Sequence, residues 1–307
     1  MTALTERPAP PRRQALRRRS RREALWFWAL AGPNVLLILV FTYRPLISNA
    51  YYSTLDWTLG SPTATPVGLG NYVEFFTSGS AGPVLTTTAV FGVATVGGSM
   101  LLGLLLALAL NTKVTGSGLA RAAVFSPYVL SGVGVGLVWL FIMDPVIGVL
   151  GAVLRAFGGS SPAWFNDPHL TLTMVVVVYV WKNLGYAAVV YLAGLQSIDP
   201  DVLEAAALDG AGPVRRLVSV VVPLLSPTTF FLLVTTALSS LQAFDLLKVM
   251  SPLGRGTDTL VYESYLQAFE GSNRAGYSAA LSTVLFVLLA GLTLFQLLVL
   301  EKRVHYR

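Results

Sequence analysis

The sequence comprises 307 residues, of which 54% are hydrophobic and only 12% are charged, and its mean hydropathy is +0.66. This composition excludes an ordinary soluble domain, because about 25% of the residues in soluble proteins are charged. The sequence contains no cysteine, which excludes disulfides and thiolate metal sites.

Six apolar runs, separated by charged segments, are long enough to cross a hydrocarbon core of about 30 Å. Each is expected to be helical, because lipid offers no partner to an unpaired backbone group. The runs cover residues 26–47, 85–110, 121–143, 170–195, 217–245 and 277–300. The predicted fold class is therefore an all-α membrane protein with six transmembrane helices.

The stretch before the first run, residues 1–24, contains eight arginines among several prolines. We expect a disordered tail that holds the N-terminus in the cytoplasm. A nucleic-acid-binding arm is the alternative, but the stretch leads directly into a membrane span, so nucleic acid is not an expected partner. The predicted organisation is this tail, a first helix with an extracytoplasmic loop at 25–84, and a core at 85–307.

Lysine and arginine residues outside the runs or near their ends indicate the orientation of the chain. With six spans and both termini in the cytoplasm, fifteen of them lie on the cytoplasmic side and five on the outer side. This asymmetry is typical of membrane proteins and places the loop at 196–222 in the cytoplasm.

The loop after the first span is rich in glycine, proline, serine and threonine. Within it, Val67–Tyr72 carries two glycines followed by an asparagine and a tyrosine. This pattern predicts a turn, with the aromatic ring against the membrane surface.

Glycines are concentrated in the second and third spans, as Gly97, Gly98 and Gly103, and then as Gly132, Gly134 and Gly136. Small residues let neighbouring helices approach closely, so both groups predict helix packing. A phosphate-binding loop is not expected in the third span, because no strand precedes it. The sequence also lacks a Walker motif, so any ATP that drives the protein must bind to another polypeptide.

The fourth span carries a lysine, Lys182, near its middle, with Asn183 beside it and Tyr186 one turn further on. A charged group at that depth usually faces a protein interior or a water-filled cavity. Two interpretations remain open. Lys182, Asn183 and Tyr186 line a translocation path, or Lys182 is a buried structural residue paired with a carboxylate or with the carbonyls of a helix end.

The cytoplasmic loop contains one short predicted helix. Asp199 followed by Pro200 is typical of a helix start, and Asp209 followed by Gly210 is typical of a helix stop. A short acidic helix between two spans has little to pack against, so we expect another protein to hold it.

The fifth span begins within this loop and is interrupted by Pro223 and Pro227, which predict a bend. The bend either transmits movement of the loop or is a static kink. At the far end of the span, Gln242 and Asp245 are further candidates for the path. Residues 259–269 predict a short amphipathic helix on the outer surface.

Two other classes of membrane protein explain these features less well. An ion-coupled transporter normally needs carboxylates or histidines within the membrane, whereas Asp144, Asp245 and His169 lie near span ends and His305 lies in the tail. A membrane enzyme needs a nucleophile, a base or metal ligands in one region, and the sequence has no such set. We therefore expect no catalytic residue and no metal site.

The cytoplasmic loop resembles the EAA signature of permease subunits of binding-protein-dependent ABC importers. The resemblance rests on Glu204-Ala205-Ala206, Asp209-Gly210-Ala211, Pro223 and Pro227, and Val67–Tyr72 is similar to a GL-x-NY element of the carbohydrate-type permeases. Leu217 departs from the phenylalanine of many relatives. In that family the short helix is a coupling helix that docks in a groove of the cytoplasmic ATPase.

The resemblance implies a docking set and a set of partners. The docking set is Glu204, Ala205, Ala206, Asp209, Gly210, Ala211, Arg215 and Arg216. The partners are a second homologous permease subunit, two cytoplasmic ATPase subunits and an extracytoplasmic solute-binding protein, in a bacterial inner membrane. The chain itself holds no cofactor, since ATP and magnesium bind to the ATPase.

The resemblance also bears on the solute. Residues 210–216 and Arg303-Val304-His305-Tyr306 look most like permeases for glycerol 3-phosphate or glycerophosphodiesters. Several sugar permeases share nearly the same loop, so a different sugar or an oligosaccharide is the alternative.

Overall fold

The computed structural model describes residues 12–111, 117–252, 254, 256–271 and 273–303. The helices are α1 (Arg12–Ile38), α2 (Arg44–Tyr52), α3 (Gly70–Thr77), α4 (Ala81–Leu110), α5 (Ser117–Val129), α6 (Gly132–Met143), α7 (Val149–Ala156), α8 (Pro168–Gln196), α9 (Pro200–Leu208), α10 (Pro213–Arg216), α11 (Val222–Leu224), α12 (Ser226–Leu241), α13 (Asp245–Met250), α14 (Leu260–Phe269) and α15 (Ala275–Phe295). Widened π-helical turns at Leu39–Tyr43, Leu217–Val221 and Gln296–Leu300 adjoin α1, α10 and α15, and a 3₁₀ turn follows at Glu301–Arg303. Strands β1 (Leu55–Asp56) and β2 (Thr65–Pro66) form one antiparallel hairpin.

The chain divides into two compact units, Met1–Tyr52 and Ser53–Arg307. In the first unit, helix α1 begins at Arg12 and so includes residues 12–24, part of the stretch for which a disordered tail was predicted. Arginine is a good helix former, and the apolar segment that follows continues the same helix. Residues 1–11 lie outside the described residues.

Four helical segments are long and apolar enough to cross a membrane: Trp26–Tyr52, Ala81–Leu110, Pro168–Gln196 and Ala275–Leu300. Two further segments are bent pairs, and the total is six if each pair is one span. In the third predicted span, α5 and α6 meet at an angle of 98°, so this span is not one continuous helix. In the fifth, Pro213–Leu224 and Ser226–Leu241 meet at 64°, in agreement with the predicted bend near Pro223 and Pro227.

Glycines lie at helix contacts as predicted, but in each helix only those on one face do so. A Cβ atom on Gly103 of α4 would lie 2.6 Å from the Cβ atom of Ala187 in α8, whereas Gly97 faces open space. In α6, Gly136 lies against Val249 of α13, and Gly134 faces open space. Glycine thus allows the close contacts of α4 with α8 and of α6 with α13.

The loop after Tyr52 packs within the second unit. Asn71 is buried, and its Nδ2 atom donates to the carbonyl oxygens of Ser53 and Leu55, both at 2.9 Å. The Tyr72 hydroxyl donates to Ser53 Oγ at 2.6 Å, which holds the tyrosine against the same loop. Gly68 adopts a φ of 59°, as the predicted turn requires.

An ion pair joins α3 to the start of α15. The Arg274 guanidinium donates to both carboxylate oxygens of Glu74, at 2.7 and 2.6 Å, and this contact lowers the pKa of Glu74 below its usual range. The predicted outer helix is present as α14, but Leu260 and Tyr262 are fully buried. Helix α14 therefore packs against α15 and α4 along one side and does not simply lie on a surface.

Candidate functional site

Helix α9 is capped at both ends by residues of its own segment. At the start, Asp199 Oδ1 accepts from the backbone N–H of Asp201 at 3.0 Å, and Pro200 occupies the first helical position. At the end, Gly210 has a φ of 76°, and the N–H groups of Gly210 and Ala211 donate to Ala207 and Ala206 at 3.1 and 3.0 Å. These two bonds form a Schellman motif, which satisfies carbonyls that the helix end leaves unpaired. The predicted start and stop of this helix are confirmed.

Helix α9 has no buried residue. Its Leu203 is half-buried and packs with a buried cluster that includes Ile198, Val221 and Leu225. Of the predicted docking residues, Glu204, Ala205, Asp209, Gly210 and Arg215 are exposed, while Ala206, Ala211 and Arg216 are half-buried. The helix is thus a preformed element whose outer side is open to a partner.

The structure also exposes apolar residues close in sequence to the predicted docking residues. Leu208 is 89% exposed, Val214 is 73% exposed and Val218 is 61% exposed. Sequence reasoning missed these residues, because single apolar side chains near a membrane span read as part of the core. The signal was present in their surroundings, since Leu208 and Val214 both lie among charged and glycine residues. We call this surface, made of the predicted docking residues with Leu208, Val214 and Val218, the loop face.

The second candidate site lies at the break of the third span. Helix α5 ends at Val129 and α6 begins at Gly132. Lys182, from the middle of α8, donates to the carbonyl oxygen of Tyr128 at 3.0 Å, and its Nζ atom lies 5.5 Å from the centre of the Tyr128 ring. Lys182 therefore has the helix-end partner that one of the two interpretations required.

A cavity of about 230 Å³ adjoins this break. Its lining residues are Gly132, Tyr179, Lys182, Asn183, Gln242, Ala243, Phe244, Asp245 and Leu246. Four of the five predicted path residues, from two distant parts of the sequence, thus meet around one space. Lys182 bonds to the helix end and also lines the cavity. A structural role for this residue is therefore compatible with a place on the path.

The fifth path residue, Tyr186, lines a smaller cavity of about 50 Å³ that shares Tyr179 and Asn183 with the larger one. The ring of Tyr186 stacks on that of Tyr128, with the ring centres 4.9 Å apart. Most of the remaining lining is formed by hydroxyl groups, those of Thr95, Ser99, Thr235, Thr236, Ser239 and Ser240. Sequence reasoning missed these hydroxyls, because each is a single polar residue within an apolar run.

One of these hydroxyls has no partner among the described residues. Ser99 is 1% exposed, and its Oγ atom makes no hydrogen bond there, although the neighbouring hydroxyls of Thr95 and Ser240 bond to each other. A buried hydroxyl without a partner is costly unless water or a ligand bonds to it. The smaller cavity is large enough for water, so this part of the protein is suited to polar contents.

A helical protein of the membrane, with a polar cavity beside a broken span and an exposed capped helix between two spans, has the architecture of a transport component. The chain belongs to the family of the binding-protein-dependent transport system inner membrane component, whose model matches residues 99–306. It is therefore a membrane-spanning permease component of a transport system of this type.

Relatives over nearly the whole chain are permease proteins. The sn-glycerol-3-phosphate transport system permease protein UgpA of Agrobacterium fabrum is 36% identical over 282 residues, which cover 91% of this chain and 96% of the relative. The protein of the same name from Rhizobium meliloti is 34% identical over 282 residues, with the same coverage.

The fold is similar to that of solved transporters. A chain in the crystal structure of a bacterial alginate ABC transporter, in complex with a periplasmic protein bound to alginate pentasaccharide, matches with a TM-score of 0.80 and 21% identity. The match covers 91% of this chain and 94% of that chain. A second alginate importer structure matches with a TM-score of 0.77. At this level of sequence identity, the similarity shows a shared fold and nothing more.

Proposed function

We propose that the protein is the permease subunit of an ATP-driven importer for a sugar or a sugar-phosphate-like solute that a binding protein delivers from outside the cell. The observation that carries this proposal is the exposed helix α9, which is capped at both ends and sits between two membrane segments. A helix of nine residues is too short to be stable alone in water, so its caps and the anchor Leu203 preserve it for a partner.

In this proposal each bent pair of helices counts as one crossing, which gives six spans. Both termini and the loop at 196–222 are cytoplasmic, as the distribution of lysine and arginine favours. The loop face then meets the ATPase subunit. Leu208 and Val214 provide apolar contact area, and Glu204, Arg215 and Arg216 provide charges around it. ATP and magnesium are bound by the ATPase.

The path for the solute runs beside the break of the third span. Lys182, Asn183, Gln242 and Asp245 surround one cavity, and Tyr186 lies at the adjoining hydroxyl-lined cavity. Amide, hydroxyl and aromatic groups together suit a polyhydroxylated solute, because they offer hydrogen bonds and ring faces in one place. Closure of the ATPase dimer would draw the docked helices together and open the path outward, and ATP hydrolysis would reset it.

Glycerol 3-phosphate or a glycerophosphodiester is the favoured solute. The support is the similarity to permease proteins of sn-glycerol-3-phosphate transport systems over nine-tenths of the chain. A different sugar or an oligosaccharide is the alternative, and the similarity of the fold to alginate transporters is in keeping with either.

Two variants of α9 test the proposed docking in the complete transporter, purified with its ATPase and stimulated by its binding protein. Glu204→Ala removes an exposed charge, and Gly210→Pro imposes a φ near −65° where the chain has 76°. We expect both to weaken ATPase co-purification and binding-protein-stimulated ATP hydrolysis, with a loss of about 1–2 kcal/mol, or about five- to thirtyfold, for Glu204→Ala.

Glu301→Ala is the matched control, because it also removes an exposed carboxylate but lies outside the loop face. Docking through α9 would be refuted if both loop variants retained the co-purification and the stimulated hydrolysis of the unmodified transporter.

A further inference from the structure

The break in the third span leaves two helix ends without their usual partners. In a continuous α-helix, the N–H of Gly132 would donate to the carbonyl oxygen of Tyr128 four residues earlier. The bend at Leu130 and Ser131 separates these groups. Ser131, the residue at the N-terminal cap of α6, makes no side-chain hydrogen bond to it. Unpaired helix ends are costly within a membrane, so other groups must compensate for them.

At the carbonyl end, Lys182 takes the place of the lost donor. Its ammonium group donates to Tyr128 O at 3.0 Å and lies over the Tyr128 ring. A cation at the C-terminal end of a helix also interacts favourably with the helix dipole.

At the amide end, Asp245 lies against the first residue of α6. A Cβ atom built on Gly132 would lie 2.9 Å from Asp245 Cβ and 3.1 Å from Asp245 Oδ2. Asp245 is the first residue of α13, and α13 packs on α6 where Val249 contacts Gly136. The carboxylate is thus held by helix packing at the end where a negative charge is favourable.

We propose that Lys182 and Asp245 are a matched pair of positioning residues, which hold the two halves of the broken third span in their bent arrangement around the cavity. Both side chains line the same 230 Å³ space. The charge of each therefore compensates the other, which lowers the cost of placing either one within the membrane.

The positioning role of Lys182 and Asp245 rests on the proposed function only in taking the cavity as the solute path. Because the Lys182 ammonium is engaged by Tyr128 O and balanced by Asp245, it is not the group that recognises a phosphate. The role of this subunit in recognition falls to uncharged groups such as Asn183 and Gln242. The bent arrangement of α5 and α6 can be measured without solute or ATPase. Its test is therefore independent of whether the cavity is the solute path.

The test measures the distance between α5 and α6 by double electron–electron resonance. Cysteines introduced at Ala122 and Val138, both exposed, carry the spin labels in the full-length chain, reconstituted in lipid nanodiscs. The natural sequence has no cysteine to interfere. A second label pair at Val93 and Val177, also exposed, reports on the packing of α4 against α8.

We expect Lys182→Met and Asp245→Asn each to broaden or shift the α5–α6 distance distribution while the α4–α8 distribution stays unchanged. Lys182→Arg should preserve the α5–α6 distribution, because a guanidinium can also donate to Tyr128 O. The double variant should be perturbed less than the two single variants together, since it leaves no lone charge. Lys248→Met, which breaks a surface ion pair with Glu270, is the control for lysine loss and should change neither distance.

An unchanged α5–α6 distribution in both single variants would overturn the proposal. A change that appears equally in the α4–α8 distribution would also overturn it, because the two residues would then support the whole fold. Additive effects in the double variant would overturn the claim that the residues act as a pair. If Lys182→Met and Asp245→Asn shifted the α5–α6 distances while Glu204→Ala and Gly210→Pro kept full ATPase docking, only the proposed function would fail.

Discussion

At the residue scale, space around individual glycines decides which of them the fold requires. Gly103 and Gly97 lie in the same helix, but only Gly103 faces a neighbouring backbone: its added Cβ would lie 3.0 Å from the Ala188 nitrogen. The sequence showed that α4 is rich in small residues. It did not show which face of the helix meets α8, because the helix is apolar all round.

Gly103→Ala should therefore destabilise the protein by about 1–3 kcal/mol, the usual cost of overpacking a tight contact. Gly97→Ala is the matched control in the same helix, where alanine should be neutral or stabilising by up to about 1 kcal/mol. Thermal unfolding of the two purified variants in the same detergent measures the difference. Equal unfolding temperatures would contradict the close approach of α4 and α8.

The titration of Asp258, in the loop before α14, provides a second test at this scale. Burial, and then the negative charge of Glu263, raises the pKa of Asp258 from 3.8 to about 6. The unfolded chain therefore loses this proton at lower pH than the folded chain does. The contribution of the group to stability is greatest below about pH 4 and is lost as the pH rises through about 6.

Asp258→Asn removes this dependence. We expect the unfolding temperature of the variant to rise relative to the unmodified protein as the pH increases from about 4 to about 7, and the difference to be constant above that range. Glu74, whose pKa is lowered by Arg274, is the same in both proteins, so its effect on stability cancels in the difference. A difference that does not vary with pH would contradict the burial of Asp258.

At the element scale, the features that the sequence predicted best are those set by local chemistry. The start and end of α9 depend on Asp199, Pro200 and Gly210, which act on neighbouring backbone groups and can be read directly from the sequence. The bend near Pro223 is of the same kind. Each of these signals lies within a few residues of the structure that it produces.

The break between α5 and α6 could not be predicted in the same way. The run at 121–143 carries no charge after Arg121, and Pro127 lies inside α5 without ending it. The compensating groups, Lys182 and Asp245, lie on other helices far along the chain. A pattern of hydrophobicity carries no information about such contacts, so the run reads as one helix.

At the scale of the whole molecule, the orientation in the membrane can be tested with single cysteines, because the sequence has none of its own. Leu208 and Phe157 are 89% and 88% exposed, and the proposed topology places them on opposite sides of the membrane. A membrane-impermeant maleimide should label Phe157→Cys in intact cells. It should label Leu208→Cys only after the membrane is opened. The reverse pattern would contradict the proposed orientation.

The class of protein could be predicted from the sequence because its signature lies in one continuous loop. The candidate path could be predicted in part, because its members stand out as polar residues within or at the end of apolar runs. These members are Lys182, Asn183, Tyr186, Gln242 and Asp245. The hydroxyls of Ser99 and Ser240 could not be predicted, since only the packing of α4 against α8 and α12 brings them to the same cavity.

The central claim, that α9 docks on the ATPase, is tested most directly by cross-linking from Leu208→Cys. The measurement uses a short photoactivatable maleimide on this single cysteine in the assembled transporter, with Phe157→Cys as the control. We predict a covalent adduct between the permease and the ATPase subunit from Leu208→Cys and none from Phe157→Cys. Absence of the adduct from Leu208→Cys, in a transporter that still hydrolyses ATP in response to its binding protein, would contradict the account.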